Sequence, residues 1–178
     1  MKVKVENVVA STALGRQIDL EYISATLSGA EYEPEQFPGL VFRLKEPKVT
    51  SLMFRNGKII CAGAKSVKDV EAAIEKIVSE LRTIGVDVDK TSEIVVQNIV
   101  ATASVGANLN LDAIAVGLDN TEYEPEQFPG LVYRMSDPKV VFLLFGSGKM
   151  VITGAKSRED AEMAADNIVE SLKETGLL

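Results

Sequence analysis

Side chains able to do chemistry are sparse in this chain of 178 residues, and what is missing narrows the field first. There is no histidine and only one cysteine, Cys61. Without histidine the chain lacks the usual general base, any Ser-His or Cys-His pair, and the commonest transition-metal ligand. Cys61 has no intrachain disulfide partner. Within Ile59-Ile-Cys-Ala62 it reads as a small buried strand residue of a protein kept in a reducing cytoplasm. Glutamates cluster at Glu31, Glu33 and Glu35 and again at Glu122, Glu124 and Glu126, without calcium-loop spacing. They read as solvated or partner-binding loops rather than metal ligands or acid–base pairs. Gly146-Ser-Gly-Lys149 looks like part of a phosphate loop, but Leu143 stands where the first glycine is required and Met150 where Ser or Thr would hold magnesium. It reads as a turn. No cofactor or metal is expected, and the chain does not read as an enzyme. What remains is recognition chemistry. Asn7 and Asn98 lie between apolar strand residues, each amide offering a donor and an acceptor. Phenylalanines pair as Phe37/Phe54 and Phe128/Phe145.

Everything in that short inventory of recognition residues comes in twos. Glu31-Tyr-Glu-Pro-Glu-Gln-Phe-Pro-Gly-Leu-Val-Phe-Arg43 returns as Glu122-Tyr-Glu-Pro-Glu-Gln-Phe-Pro-Gly-Leu-Val-Tyr-Arg134, changed only at Phe42/Tyr133. The same offset relates Pro47 to Pro138 and Gly63-Ala-Lys65 to Gly154-Ala-Lys156. Two copies of this length are too few for a solenoid. They indicate a tandem duplication, residues 1–91 and 92–178, forming one intramolecular pseudo-dimer with approximate twofold symmetry. Residues 1–91 carry 13 basic and 13 acidic side chains, and residues 92–178 carry 6 and 13. Four of the six, Arg134, Lys139, Lys149 and Lys156, repeat Arg43, Lys48, Lys58 and Lys65. A basic rim is thus retained on an acidic body.

The elements that must position these residues follow from hydrophobic periodicity and turn residues. Val3–Ser11 reads as a strand and Leu14–Leu27 as one or two short helices. Tyr32–Gly39, with Pro34 and Pro38, must be a loop or a bent ribbon, because proline cannot donate to a ladder. Leu40–Lys45 is a strand. Val49–Arg55 and Lys58–Ala64 form a hairpin around Asn56-Gly57, a type I′ signal. Ser66 caps a helix with Asp69 as capping-box partner, Val67, Val70, Ile74, Ile77, Val78 and Leu81 on one face, and Gly85 at its end. The second copy repeats this order, from a strand near Ile94–Thr102 to a helix from Ser157 to Gly176. The connection Gly85–Ser92 is too short to hold two domains apart. The fold class is α+β: two pseudo-symmetric repeats forming one continuous curved antiparallel sheet with helices on the convex face.

One face of each hairpin, Met53, Ile59 and Cys61, belongs against those helices. The other is also apolar: Leu52, Phe54, Ile60 and Ala62, with Leu143, Phe145, Val151 and Thr153 in the second copy. An apolar sheet face without covering helices marks an interaction surface. Phe37 and Phe128 lie in proline-flanked loops beyond the sheet, where they suit wedges between stacked bases.

On the motifs Gln97-Asn-Ile-Val-Ala101, Tyr123–Arg134, Asp137-Pro-Lys139 and Ser147–Lys156, the chain resembles the TATA-box-binding protein family, and the archaeal members in particular. The resemblance covers essentially the whole chain. It implies a general transcription initiation factor whose concave sheet binds the minor groove of an A·T-rich TATA element and kinks the DNA. Phe37 and Phe54 would open the base step at one end, and Phe128 and Phe145 at the other. Asn7 and Asn98 would meet groove acceptors near the centre. Val9, Val100, Leu52, Leu143, Ile60, Val151, Ala62 and Thr153 would line the groove floor. Arg43 and Arg134, with Lys58, Lys65, Lys149 and Lys156, would reach phosphates. Glu124, Glu126 and Gln127 would bind transcription factor B, with RNA polymerase recruited indirectly. The lone cysteine and the lack of a membrane-length apolar run or signal-peptide core indicate the cytoplasm, at the nucleoid for a DNA-binding protein. The apolar face offers self-association when free. The alternative reading is a protein-interaction saddle without DNA binding, its apolar face holding a partner helix or a second copy.

Overall fold

The computed structural model describes residues 1–88 and 91–178. Of the expected Gly85–Ser92 connection, Asp89 and Lys90 lie outside the described residues. The chain divides into two compact units, Asn7–Gln97 and Asn98–Leu178 together with Met1–Glu6.

In the Asn7–Gln97 unit, β1 (Lys4–Ala13) leads into helix α1 (Leu20–Thr26), followed by β2 (Ala30–Glu31), β3 (Leu40–Lys45), β4 (Lys48–Met53), β5 (Lys58–Ala64) and helix α2 (Val67–Thr83). The antiparallel order is β2-β3-β4-β5-β1. In the other unit β6 (Val95–Ser104), α3 (Leu111–Gly117), β7 (Thr121–Glu122), β8 (Leu131–Ser136), β9 (Lys139–Leu144), β10 (Lys149–Ala155) and α4 (Arg158–Glu174) repeat the plan, in order β7-β8-β9-β10-β6. Residues 1–6 are tied to this second unit by polar contacts. The Arg158 guanidinium donates to the Val3 carbonyl at 2.9 Å, and the Thr102 hydroxyl to Glu6 at 3.2 Å.

The strands form where alternation makes one face fit to bury. Leu40, Met53, Ile59 and Cys61 of the first unit are fully buried, as are Leu131, Leu144, Met150 and Ile152 of the second. Helix α2 covers its sheet with Val70, Ala73, Ile74, Ile77 and Leu81, each large apolar side chain contributing about 1.5–3 kcal/mol by burial. Two members of the expected helical face fall outside this stripe. Val67 is exposed and Val78 half-buried, while Ala73 is buried, because its small side chain lets the helix approach the sheet. Ser66 caps the helix by accepting from the Asp69 amide at 3.1 Å, and Gly85 at φ 88° closes it, with the Val86 amide reaching back to the Leu81 carbonyl.

The hairpin turns are not type I′. Only Gly57 has positive φ, and the Gly57 amide donates to the Phe54 carbonyl while the Phe54 amide donates to the Lys58 carbonyl. This is a three-residue loop, Arg55-Asn56-Gly57, with glycine in the left-handed position. Its glycine is doubly required, since a Cβ there would sit 2.1 Å from the Arg16 carbonyl oxygen. Phe145 to Lys149 closes in the same way, so the Gly146-Ser-Gly-Lys149 stretch is a turn, as its sequence indicates.

Candidate nucleic-acid interface

Each unit presents a sheet face that its helices leave uncovered. In the Asn7–Gln97 unit Asn7, Val9, Leu52, Phe54, Ile60 and Ala62 are half-buried, and Leu52 lies directly across from Ile60. In the other unit Asn98, Val100, Leu143, Phe145, Val151 and Thr153 are half-buried, with Leu143 across from Val151. Half-burial is what a single sheet layer gives a residue with neighbours beside it and no layer above. Every residue expected on the groove floor therefore lies on the uncovered face of its own unit.

The asparagines owe their orientation to a local irregularity. The β1–β5 register shifts between Val8 and Ala10, and the β10–β6 register between Ile152 and Ala155. The backbone N–H freed there donates to the asparagine carbonyl: Gly63 to Asn7 Oδ1 at 2.7 Å, Gly154 to Asn98 Oδ1 at 2.6 Å. Gly63 and Gly154 sit at φ 88° and 98°, a conformation that favours glycine. Because a backbone N–H requires an acceptor, the amide cannot be flipped. Its NH2 group is what each asparagine has left to offer. Asn98 Nδ2 also donates to Thr153 Oγ1 at 3.2 Å, and Ala62 supplies no such hydroxyl to Asn7.

At the end of each face two phenylalanines meet. Phe37 and Phe54 stand edge-to-face, with centroids 6.0 Å apart and planes at 66°; Phe128 and Phe145 stand at 6.0 Å and 68°. Phe37 and Phe128 remain 40% and 43% exposed, high for phenylalanine in an ordered segment. Both ride on loops turned by Glu33 and Glu124, whose carbonyls accept from the amides of Gln36 and Phe37, and of Gln127 and Phe128. The adjoining glycines are set by the rings. A Cβ on Gly39 would lie 2.7 Å from Phe37 and 3.0 Å from Phe54, and Gly130 repeats both values.

The cations divide into two kinds. Arg43 is ion-paired with Glu31 at 3.0 Å and Arg134 with Glu122 at 2.9 Å, all four exposed. Lys58 and Lys149 are exposed at the hairpin turns and make no ion pair among the described residues. Lys65 and Lys156 are exposed just beyond β5 and β10. Beside Arg134 and Lys156 a cavity of about 580 Å³ opens against Val141 and Thr153, and Lys139 joins them there. Glu124, Glu126 and Gln127 are exposed on the second proline loop.

A hydrogen-bonded cluster not foreseen in the sequence braces the first proline loop. Arg55 Nη2 donates to Glu21 Oε1 at 2.7 Å and to the Tyr32 hydroxyl at 3.1 Å. The guanidinium holds the Glu21 carboxyl down to about 2, well below its ordinary 4.5. Burial instead raises the Cys61 thiol to about 11, as befits an inert strand residue.

A sequence model of the family described as "Transcription factor TFIID (or TATA-binding protein, TBP)" matches residues 2–84 and again 93–175. The chain belongs to this family. It is 57% identical over 178 residues to the TATA-box-binding protein of Haloarcula marismortui, covering 99% of this chain and 96% of that one. It is 60% identical over 173 residues to that of Methanothermococcus thermolithotrophicus, covering 97% and 95%. Among solved structures, the TBP of Methanococcus jannaschii superimposes with a TM-score of 0.92 at 58% identity, covering 98% of this chain and 99% of that one. The α+β fold expected from the sequence is shared across essentially the whole length.

Several residues of the two faces were missed. Val41 pairs with Leu52 and Thr50 with Ala62, while Val132 and Val141 pair with Leu143 and Thr153; all are half-buried. The alternation within β3, β4, β8 and β9 carried the signal, since a residue opposite a face residue shares its face.

Proposed function

We propose that this protein is a transcription initiation factor that binds TATA elements in DNA, each unit reading one half of the element from the minor groove. The observation that carries the reading is the pair of pinned amides amid apolar, half-buried sheet faces. A·T pairs show the minor groove only acceptors, whereas guanine adds a protruding amino group. A donor in an otherwise flat apolar surface suits the first and collides with the second. The phenylalanine pairs suit insertion at the end steps, and pyrimidine–purine steps are the least costly to open. This protein's family is the usual example of such kinking, so the mechanism is a family property applied to these residues. Phosphates fall to Arg43, Arg134, Lys58, Lys65, Lys149 and Lys156, with Lys139 added by its place beside Arg134 and Lys156.

The duplicated halves 1–91 and 92–178 act as a pseudo-dimer, although the compact units differ from them in that residues 1–6 and 92–97 each belong with the other copy. Exposed Glu124, Glu126 and Gln127 form the seat of transcription factor B, through which RNA polymerase is recruited at the nucleoid. No reaction is assigned to the chain.

The test is energy transfer between dyes at the two ends of a duplex carrying a TATA element, with a G·C-substituted duplex as control. Binding with increased transfer on the first alone is expected. Phe128→Ala and Phe145→Ala should each straighten the complex more than Lys76→Ala on α2. Equal losses from all three would remove the wedge assignment, and self-association without DNA binding would favour the protein-interaction reading.

A further inference from the structure

The two proline loops are the same in sequence from Tyr32 to Gly39 and from Tyr123 to Gly130. They are also the same in their turn hydrogen bonds, in their cross-strand Arg–Glu pair, and in their phenylalanine geometry. Whatever tells them apart lies outside them. The difference sits in the neighbouring hairpin, where Phe54-Arg55-Asn56-Gly57 of the first copy corresponds in sequence to Phe145-Gly146-Ser147-Gly148 of the second. Arg55 ties α1, through Glu21, to the hydroxyl of Tyr32 at the mouth of the first loop. At the second loop there is no side chain at 146 to do this. Glu21 is replaced by the shorter Asp112, and neither Asp112 nor the half-buried Tyr123 has a side-chain hydrogen bond or ion pair among the described residues.

The charge follows. Arg55 offsets one of the carboxylates Glu21, Glu33 and Glu35. Asp112, Glu124 and Glu126 have no such counterion among the described residues.

We infer that Arg55, by its presence at the first loop and its replacement by Gly146 at the second, decides which of two otherwise matched loops a basic partner surface occupies. Arg55 repels a partner's cations and keeps the Tyr32 hydroxyl engaged. Gly146 leaves the second loop more negative and the Tyr123 hydroxyl open to the partner. Discrimination between near-identical surfaces commonly rests on one repulsive element of this kind. The inference rests on the reading that Glu124, Glu126 and Gln127 seat transcription factor B, and it explains why that loop is chosen.

The backbone allows a direct exchange. A Cβ on Gly146 meets only the Leu109 carbonyl oxygen, at an ordinary 3.8 Å, and its φ is not left-handed. The experiment measures capture of purified transcription factor B by the protein bound to a TATA duplex, with duplex bending followed in parallel. Gly146→Arg should weaken capture about tenfold with bending unchanged. The swapped protein, Arg55→Gly with Gly146→Arg, should recover capture, with the factor now cross-linking to the first loop. Undiminished capture by Gly146→Arg overturns the inference. So does a loss that the swap fails to restore, since an arginine at 146 would then merely obstruct. Failure of the unaltered protein to capture the factor would instead remove the partner reading itself, and this one with it.

Discussion

The glycines beside the wedges are sensitive to change for a reason of space rather than backbone conformation. Neither Gly39 nor Gly130 has positive φ, yet a methyl at either would overlap the loop phenylalanine at 2.7 Å and crowd its partner ring at 3.0 Å. Gly130→Ala should therefore splay Phe128 from Phe145 at a cost of about 1–3 kcal/mol. DNA bending should fall more than affinity, and the added change Phe128→Leu should recover part of the stability. Unchanged bending would show that the preformed pair is not needed. Glu21 makes a second residue-scale test. Its carboxyl is lowered from 4.5 to about 2, so its contribution to stability is fully present above pH 4.5 and is lost as pH falls through about 2. In Arg55→Gly the Glu21 carboxyl, followed by NMR titration, should return to the ordinary carboxylate range. A midpoint that stays near 2 would mean that another group holds it.

At the scale of elements, what the sequence made legible was governed by patterns with a fixed period or an obligatory residue. Strands Leu40–Lys45 and Lys58–Ala64 and the capped helix after Ser66 are found where alternation, turn glycines and caps put them. Short-range signals were less secure. Asn-Gly evokes a two-residue type I′ turn, but Arg55 joins the loop and the glycine alone takes positive φ, a choice made by the strand register and not by the dipeptide. The direction of the asparagine amides was hidden, because it depends on register shifts that freed the Gly63 and Gly154 amides. The Arg55 brace was hidden too, since it joins residues from three separate elements. Duplication supplied the missing information only where the copies differ. Arg55 against Gly146 and Ala62 against Thr153 are visible by eye in the sequence, but their partners are not.

Taken as a whole, the molecule carries a net charge of −7 without spreading it evenly. Arg134, Lys139 and Lys149 lie on β8, β9 and β10, whereas Glu159, Asp166, Glu170 and Glu174 lie exposed on α4, which packs on β10 through Ala161, Ala164, Ala165, Ile168 and Leu172. The acids of α4 outnumber its two cations, Arg158 and Lys173, while Arg134, Lys139 and Lys149 lie on strands. A protein built so can bind an anionic polymer while repelling it elsewhere. With seven expected phosphate contacts, Lys139 included, the slope of log affinity against log salt should be no steeper than about −6, at roughly 0.9 per contact. Potassium chloride titrations on a TATA duplex would show this, and a markedly steeper slope would require cations outside the assigned set.

The pinned asparagines have one more consequence. A surface that holds its asparagine carbonyls inward presents the groove mostly with hydrogens and methyls, so it distinguishes base pairs chiefly by what protrudes. Inosine–cytosine lacks the guanine amino group, yet in the major groove it looks like guanine–cytosine. A TATA element in which the central pairs are rewritten with inosine and cytosine should thus be bound within about threefold of the original. The guanine version should lose tenfold or more at each central pair. To this protein, the letters of its site would be legible only as the absence of an obstacle.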